Sequence, residues 1–345
     1  MNSFGQHLRC HIFGESHGPC IGITLDGCPA GLPLSVDDFF SDMERRKGGI
    51  QKGTTPRQED DIPQFLSGWY NGFTTGAPLT LMIENKNTRS EDYAKQRAFP
   101  RPGHADWVAG VKYGGFEDYR GGGHFSGRLT AALVAAGVIA KKLLSFDGIF
   151  SGSPIEVNAS ITEIGGEKDW EAGLQKAIEA KDSVGGIVEC RVKGLPAGLG
   201  EHFFDSVESL IAHAVFSIPA IRGIEFGTGF AAARMFGSAH NDALLDGNGN
   251  TQTNHAGGII GGLTNGQELV FRIAVKPTSS TPQEQKTWNR ETDQVESFAV
   301  RGRHDLCIAL RVPVVLEAVT ALVLADLMIV SQRIPPVLSS NHLKK

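Results

Sequence analysis

Two stretches of the chain are apolar on every face. RLTAALVAAGVIAKKLL, from Arg128, and PVVLEAVTALVLADLMI, from Pro313, carry apolar residues at helical spacing, too many for one side of an exposed helix. They predict two buried helices. Elsewhere the pattern alternates, as in IGITLDG from Ile21 and LTLMIE from Leu79, which predicts half-buried strands joined as hairpins. SVDDFFSDMERR, from Ser35, reads as a helix with Ser35 as its cap and acids in its first turn.

The pattern also repeats. DGCPAGLPLSVDDFFSDM, from Asp26, echoes KGLPAGLGEHFFDSVESL, from Lys193, with the shared Pro-Ala-Gly-Leu 167 positions apart. TTGAPLTLMIEN, from Thr74, resembles TNGQELVFRIAV, from Thr264, at a spacing of 190, and each half closes with one of the apolar helices. The strand–helix–strand rhythm and the GxGxxG turn of a dinucleotide-binding fold are missing from both halves. The expected fold is therefore α+β and layered, with the apolar helices inside and sheets outside. Residues 1–333 are expected to form one domain of two similar halves, about 1–148 and 149–333, with 334–345 as a tail.

Composition narrows the function classes. Hydrophobic residues at 41% and charged residues at 21% are ordinary for a globular protein. The 43 glycines are not: they make up about 12% of the chain, against a usual share of about 7%. They bunch in turns such as GGGH and GGIIGG, which points to backbone brought close to a ligand. The net charge of −5 gives no general attraction to nucleic acid, so anion binding must come from local clusters. The five cysteines are odd in number and never form CxxC, which predicts free thiols in a reducing cytoplasm. No apolar run reads as a membrane span, and no signal peptide is visible.

Candidate chemistry begins at GESHG, residues 14–18. The motif spells GxSxG, yet another strand follows where a nucleophile elbow needs a helix, so a serine hydrolase is not expected. At the 167-residue spacing, Glu15, Ser16 and His17 lie over Asp182, Ser183 and Val184. Only the histidine has no polar counterpart, so the fold does not require it and function is the better reason for it. ERRKGGIQKGTTPR, from Glu44, offers Arg45, Arg46, Lys47, Lys52 and Arg57 among glycines, as a mobile anion clamp would. RPGHAD, residues 101–106, sets His104 near Arg101 in a tight turn. DYRGGGHFSGRLT, from Asp118, runs three glycines into a helix start, where Ser126 and free amides can hold an anion beside Arg120 and Arg128. NHAGGIIGGLTNG, from Asn254, suits either a flat ligand or tight packing between strands. KPTSS, residues 276–280, joins a cation to hydroxyls but lacks the glycines of a P-loop. GRHD, residues 302–305, places Arg303 two positions from Asp305. The histidines at positions 7, 11, 202, 213, 240 and 342 show no metal-ligand spacing, and no metal is expected.

GESHG, RPGHAD, RGGG followed by SxR, GGxxGG, KPTSS and GRHDxC, in that order, make the chain resemble the chorismate synthase family over nearly its whole length to about Arg333. The resemblance implies a β-α-β sandwich with pseudo-two-fold duplication, typically assembled as a homotetramer. It implies the last step of the shikimate pathway, in which 5-enolpyruvylshikimate 3-phosphate loses phosphate and a C6 hydrogen to give chorismate. Reduced FMN is the implied cofactor, without net redox change; its reductant is either NADPH, used by the enzyme itself, or an outside donor. By the same resemblance His17 is a general acid toward phosphate, His104 protonates or hydrogen-bonds the reduced flavin, and Asp305, with flavin N5, helps remove the C6 proton. Arg46, Lys52, Arg101, Arg128 and Arg303 would bind the substrate's carboxylates and phosphate, with Arg46 equally able to touch a pyridine nucleotide. FMN would contact His124, Phe125, Ser126, Ala220, Gly261, Lys276, Pro277, Thr278, Ser279, Ser280 and Arg303. The chain departs from common family residues at His124 and Lys52 (often arginine), Leu129 (often glutamate) and Pro219 (sometimes asparagine). Two other readings remain: a flavin- or nucleotide-binding protein without the reaction, and a nucleic-acid binder using the Arg46 loop.

Overall fold

The computed structural model describes residues 2–49, 52–55, 59–87, 97–146, 154–300 and 304–338. Arg57, Arg303 and His342 lie outside the described residues.

Each half folds into an antiparallel sheet with the same strand order. In the first, Ser3–Phe4, Arg9–Gly14, Cys20–Asp26, Leu79–Glu84 and Gln64–Ser67 lie side by side. In the second the order is Glu156–Ile164, Gly186–Lys193, Leu269–Val275 and Ile221–Phe226. Apart from the added edge strand Ser3–Phe4, the two sheets are topological copies. Alternation does what the sequence implies: Leu79, Leu81 and Ile83 turn inward, and so do Leu269, Phe271 and Ile273.

The copies agree down to single hydrogen bonds. The Thr74 hydroxyl donates to the Pro29 carbonyl at 2.6 Å and accepts from the Leu32 amide at 2.9 Å. The Thr264 hydroxyl does the same with Pro196 and Leu199, at 2.6 and 2.9 Å. Both threonines sit on short hairpins, Trp69–Tyr70 with Phe73–Thr74 and Ile259–Ile260 with Leu263–Thr264.

Between the sheets lie the two apolar helices, Thr130–Leu144 on the first sheet and Val312–Val330 on the second, packed against each other. Phe40–Arg46 and Val207–Val215 flank them. The first of these begins as predicted near Ser35, whose amide donates to Asp38 at 2.7 Å, and runs as a 3-10 turn before it becomes α. The result is the β-α-β layering, with helices that need no polar face because both sides meet apolar surface. Two acids on the second core helix are nonetheless satisfied. Glu317 pairs with Arg45 and Lys141, and Asp326 accepts the amides of Gln6, His7 and Leu8 at 2.7–2.8 Å.

Two expectations change. Residues 308–330 form a helix long and apolar enough to cross a membrane by length and composition, contrary to the reading that no run qualifies; it is buried in the core between the sheets. The body also extends beyond residue 333. Ile334 and Leu338 are buried, and Ala30 exchanges bonds with Pro336 and Leu338, a parallel bridge that follows the helix end. The five cysteines are unpaired, and burial pushes the Cys28 thiol up to about 12.

Candidate active site

The GESHG turn joins Arg9–Gly14 to Cys20–Asp26, so Ser16 stands in a hairpin turn and the nucleophile-elbow geometry is absent there. The turn is stapled from two sides. The Ser16 amide donates to Gly123 at 3.1 Å, and the Asn85 side-chain amide donates to the carbonyls of Glu15 and Gly18, both at 2.9 Å. These ties set His17, which is 8% exposed, beneath Gly121. A Cβ on Gly121 would lie 2.2 Å from His17 Nδ1. Gly121, Gly122 and Gly123 all have left-handed φ, 61°, 85° and 53°, so only glycine lets this loop lie flat on the imidazole. In the copied turn the fold uses backbone instead: the Val184 amide donates to Leu306 and the Ser183 hydroxyl to the Thr278 carbonyl.

His104 is built differently. It closes the tight turn begun at Arg101, and its Nδ1 lies 2.6 Å from Asp106 Oδ1. Asp106 opens the helix Asp106–Tyr113 and takes both forks of Arg101, Nε at 2.7 Å and Nη2 at 2.8 Å. Burial works to raise the pKa of Asp106, but hydrogen bonds and charge from Arg101 and His104 outweigh it and hold the carboxyl far below its ordinary range.

Two more guanidiniums meet one carboxylate. Asp61, fully buried, accepts from Arg46 Nη2 at 2.6 Å and from Arg128 Nη1. Both arginines have at most 4% of their side chains exposed. Burial again opposes ionisation of Asp61, and the two guanidinium charges override it. Arg128 is further fixed by Asn85 at 3.0 Å, just after Ser126 caps the start of its helix. Asp305 is held by Arg311, at 2.9 and 3.2 Å, and by the Thr55 amide at 2.9 Å, while Arg311 Nε donates to the Arg46 carbonyl at 2.8 Å.

These groups converge on a cavity of about 860 Å³. Its far wall is the KPTSS segment, where Lys276 Nζ donates to Ser279 Oγ at 2.6 Å and to the Gly103 carbonyl at 3.0 Å. Burial, with the charge of Arg222, pushes the Lys276 ammonium below its usual value. Ser280 is buried and faces Arg101 Nη1 at 3.3 Å. Ala220 sits beside them in the left-handed region, φ 75°, strained backbone of the kind that collects at ligand sites. Among the described residues no group of His, Cys, Asp and Glu could hold a metal.

The family model for chorismate synthase matches residues 8–329. A curated chorismate synthase from Chitinophaga pinensis is 67% identical, with 96% of this chain and 98% of that protein aligned. The chain belongs to the chorismate synthase family. A second curated chorismate synthase, from Dehalococcoides mccartyi, is 45% identical over 98% of this chain and 99% of its own length. A crystal structure of chorismate synthase superposes with a TM-score of 0.72 at 28% identity, covering 95% of this chain and 93% of that one.

Of the residues singled out from the chorismate synthase resemblance, the cavity gathers His17, Arg46, Arg101, His104, His124, Phe125, Ser126, Arg128, Ala220, residues 276–280 and Asp305. Lys52 is exposed and off the cavity. Gly261 is also off it, because it turns the exposed hairpin at Ile259–Ile260. The GGIIGG run resolves largely into close packing: a Cβ on Gly258 would meet the Glu268 carbonyl oxygen at 2.6 Å, and one on Gly262 the Glu201 oxygen at 2.4 Å. The His124 ring donates to Gly14 at 2.8 Å, and Leu129 and Pro219 line the cavity. Sequence reading missed Asp61, Asn85, Asp106 and Arg311. Asp106 stood inside the quoted RPGHAD, where His-x-Asp spacing was the available signal. Asp61 and Asn85 meet Arg46 and Arg128 across 15 and 43 residues, separations that no local pattern encodes; Arg311 reaches the Arg46 carbonyl across 265 residues, although its bond to Asp305 spans only six.

Proposed function

We propose that this cavity carries out the anti-1,4-elimination that converts 5-enolpyruvylshikimate 3-phosphate to chorismate, with reduced FMN bound beside the substrate. The observation that carries the reading is the convergence of His17, His104 and Asp305 with Arg46, Arg101 and Arg128 on one cavity, in a chain of this family. In the balanced reaction the allylic C–O bond breaks, phosphate leaves with the bonding pair, a proton leaves C6, and the ring gains a double bond.

The residues present fit FMN. A cavity of about 860 Å³ lies in the range of small-molecule sites. Gly121 of the glycine loop presents bare backbone to it, and Lys276 with Ser279 and Ser280 gives a cation and hydroxyls for a phosphate. His124, Phe125, Ser126, Ala220 and residues 276–280 would hold the cofactor. When bound there, reduced FMN would supply transient electron density to the reacting ring.

The chain's own residues do the rest. Arg46, Arg101 and Arg128 present forked donors to the carboxylates and phosphate, already oriented before substrate arrives by the buried Asp61 and the half-buried Asp106. His17 delivers a proton to the departing phosphate, a role suited to imidazole near neutral pH. Asp305 keeps its carboxylate fixed between Arg311 and the Thr55 amide and takes part in proton removal from C6. His104 faces the cofactor as its hydrogen-bond partner. The assembly is a cytoplasmic homotetramer; the exposed Phe230, Phe236, Leu244 and Leu245 are apolar surface that such an assembly would cover.

The deciding experiment is anaerobic: chemically reduced FMN and the enolpyruvyl substrate are mixed with the chain, and chorismate absorbance and phosphate release are followed. Equal release of both is expected. No product would leave a flavin-binding protein that lacks the reaction. His17→Ala is expected to lower turnover at saturating substrate by about 10²-fold or more, the usual scale of general acid catalysis. Wild-type turnover in that variant removes the acid role.

A further inference from the structure

The imidazole of His104 can face a ligand usefully only if its proton sits on a defined nitrogen. We infer that Asp106 is a positioning residue that locks neutral His104 in the tautomer with hydrogen on Nδ1, leaving Nε2 as the acceptor nitrogen. The inference rests on the proposed role of His104 toward the cofactor.

Geometry carries it. Asp106 Oδ1 lies 2.6 Å from His104 Nδ1, and an ionised carboxylate only accepts, so the proton between them belongs to the nitrogen. Asp106 stays ionised because three other donors fix it: the Arg101 amide at 3.0 Å and both forks of the Arg101 guanidinium. It is also the first residue of the helix Asp106–Tyr113, where the helix dipole favours negative charge. Nε2 then lies against bare backbone: a Cβ on Gly122 would come within 3.3 Å of it and 3.1 Å of Cε1, and Gly122 has φ 85°. A side chain there would crowd the ring and strain the left-handed backbone.

The remaining charges around the ring do not compete for Nδ1. Arg101 Nη2 lies 3.1 and 3.3 Å from the two ring nitrogens, and it is already bound to the same Oδ1. Lys276 Nζ bonds the neighbouring Gly103 carbonyl. Behind the ring, Glu117, Asp118 and Arg290 line a small secondary cavity with His104 and Asp106. One carboxylate thus serves a guanidinium and an imidazole at once. The likeness is to the hydrolase arrangement in which a buried aspartate fixes the tautomer of the working histidine.

The test reads the tautomer directly. The full chain, without ligand, is labelled with nitrogen-15 histidine, and His104 is assigned by the signals lost in His104→Asn. At a pH where the ring is neutral, wild type is expected to show a protonated Nδ1 and an unprotonated Nε2. In Asp106→Asn the ratio of Nδ1–H to Nε2–H is expected to fall at least about tenfold, and Asp106→Glu to restore it. Retention of the wild-type ratio in folded Asp106→Asn overturns the inference, and so does a wild type protonated on Nε2. Should Asp106→Asn not fold, wild type and Asp106→Glu still decide. A chain that shows the Nδ1–H tautomer yet makes no chorismate sinks the activity reading and leaves this one standing.

Discussion

At the scale of residues, the cavity is organised by its carboxylates as much as by its cations. Asp61 is the clearest case: a fully buried acid at a left-handed φ of 53°, bound to Arg46 and Arg128. Asparagine tolerates that backbone, so Asp61→Asn removes charge with little change of shape. Two buried guanidiniums would then lack their counter-charge, and a loss of about 3–5 kcal/mol is expected in denaturant unfolding near neutral pH. The pH dependence fixes the mechanism. The pKa of Asp61 in the folded chain is below its ordinary value of 3.8, so its stabilisation is present above that value and fades as pH falls toward the folded one. The gap between wild type and Asp61→Asn should therefore be widest above about pH 5 and shrink below about pH 4; a constant gap would mean the loss is packing. His17 could be read from sequence because its copy is Val184. Asp61 could not, since its partners lie 15 and 67 residues away and only folding brings them together.

At the scale of elements, legibility followed periodicity. The core helices, the alternating strands and the PAGL turns all show themselves locally, because each has a period or a turn chemistry that survives in one dimension. What no period shows is how closely the two core helices approach. A Cβ on Gly137 would lie 2.3 Å from the Cβ of Ala318, so glycine here is a contact between helices. In an open helix Gly→Ala would stabilise by about 0.5–1 kcal/mol. At this crossing overpacking of about 1–3 kcal/mol should win, so Gly137→Ala is expected to lower the unfolding midpoint and Gly137→Val to lower it more. A midpoint that rises in Gly137→Ala would show that the helices separate without cost. Gly137 and Ala318 do not themselves line the cavity, so the folded fraction should keep its turnover.

For the whole molecule, the duplication explains why chemistry sits where it does. Two copied sheets and two core helices make a scaffold that either half could supply, and the departures between them, imidazole for valine at the GESHG turn among them, are where function was added. The same scale resolves an apparent conflict of charge. The chain carries a net −5, yet among the described residues seven arginine and lysine side chains and three carboxylates line the cavity. Substrate with two carboxylates and a phosphate thus meets repulsion at long range and attraction at the mouth. Salt screens both over about 10 Å at 0.1 M, but the cavity cations are nearer the incoming anion than the surface acids are. Attraction should dominate capture. Raising ionic strength from about 0.05 to 0.5 M is expected to lower kcat/KM several-fold while leaving kcat at saturation within about twofold, since buried pairs such as Arg46 with Asp61 are weakly screened. A kcat/KM that rises with salt would show instead that the overall negative field governs encounter and that the cavity cations act only after contact.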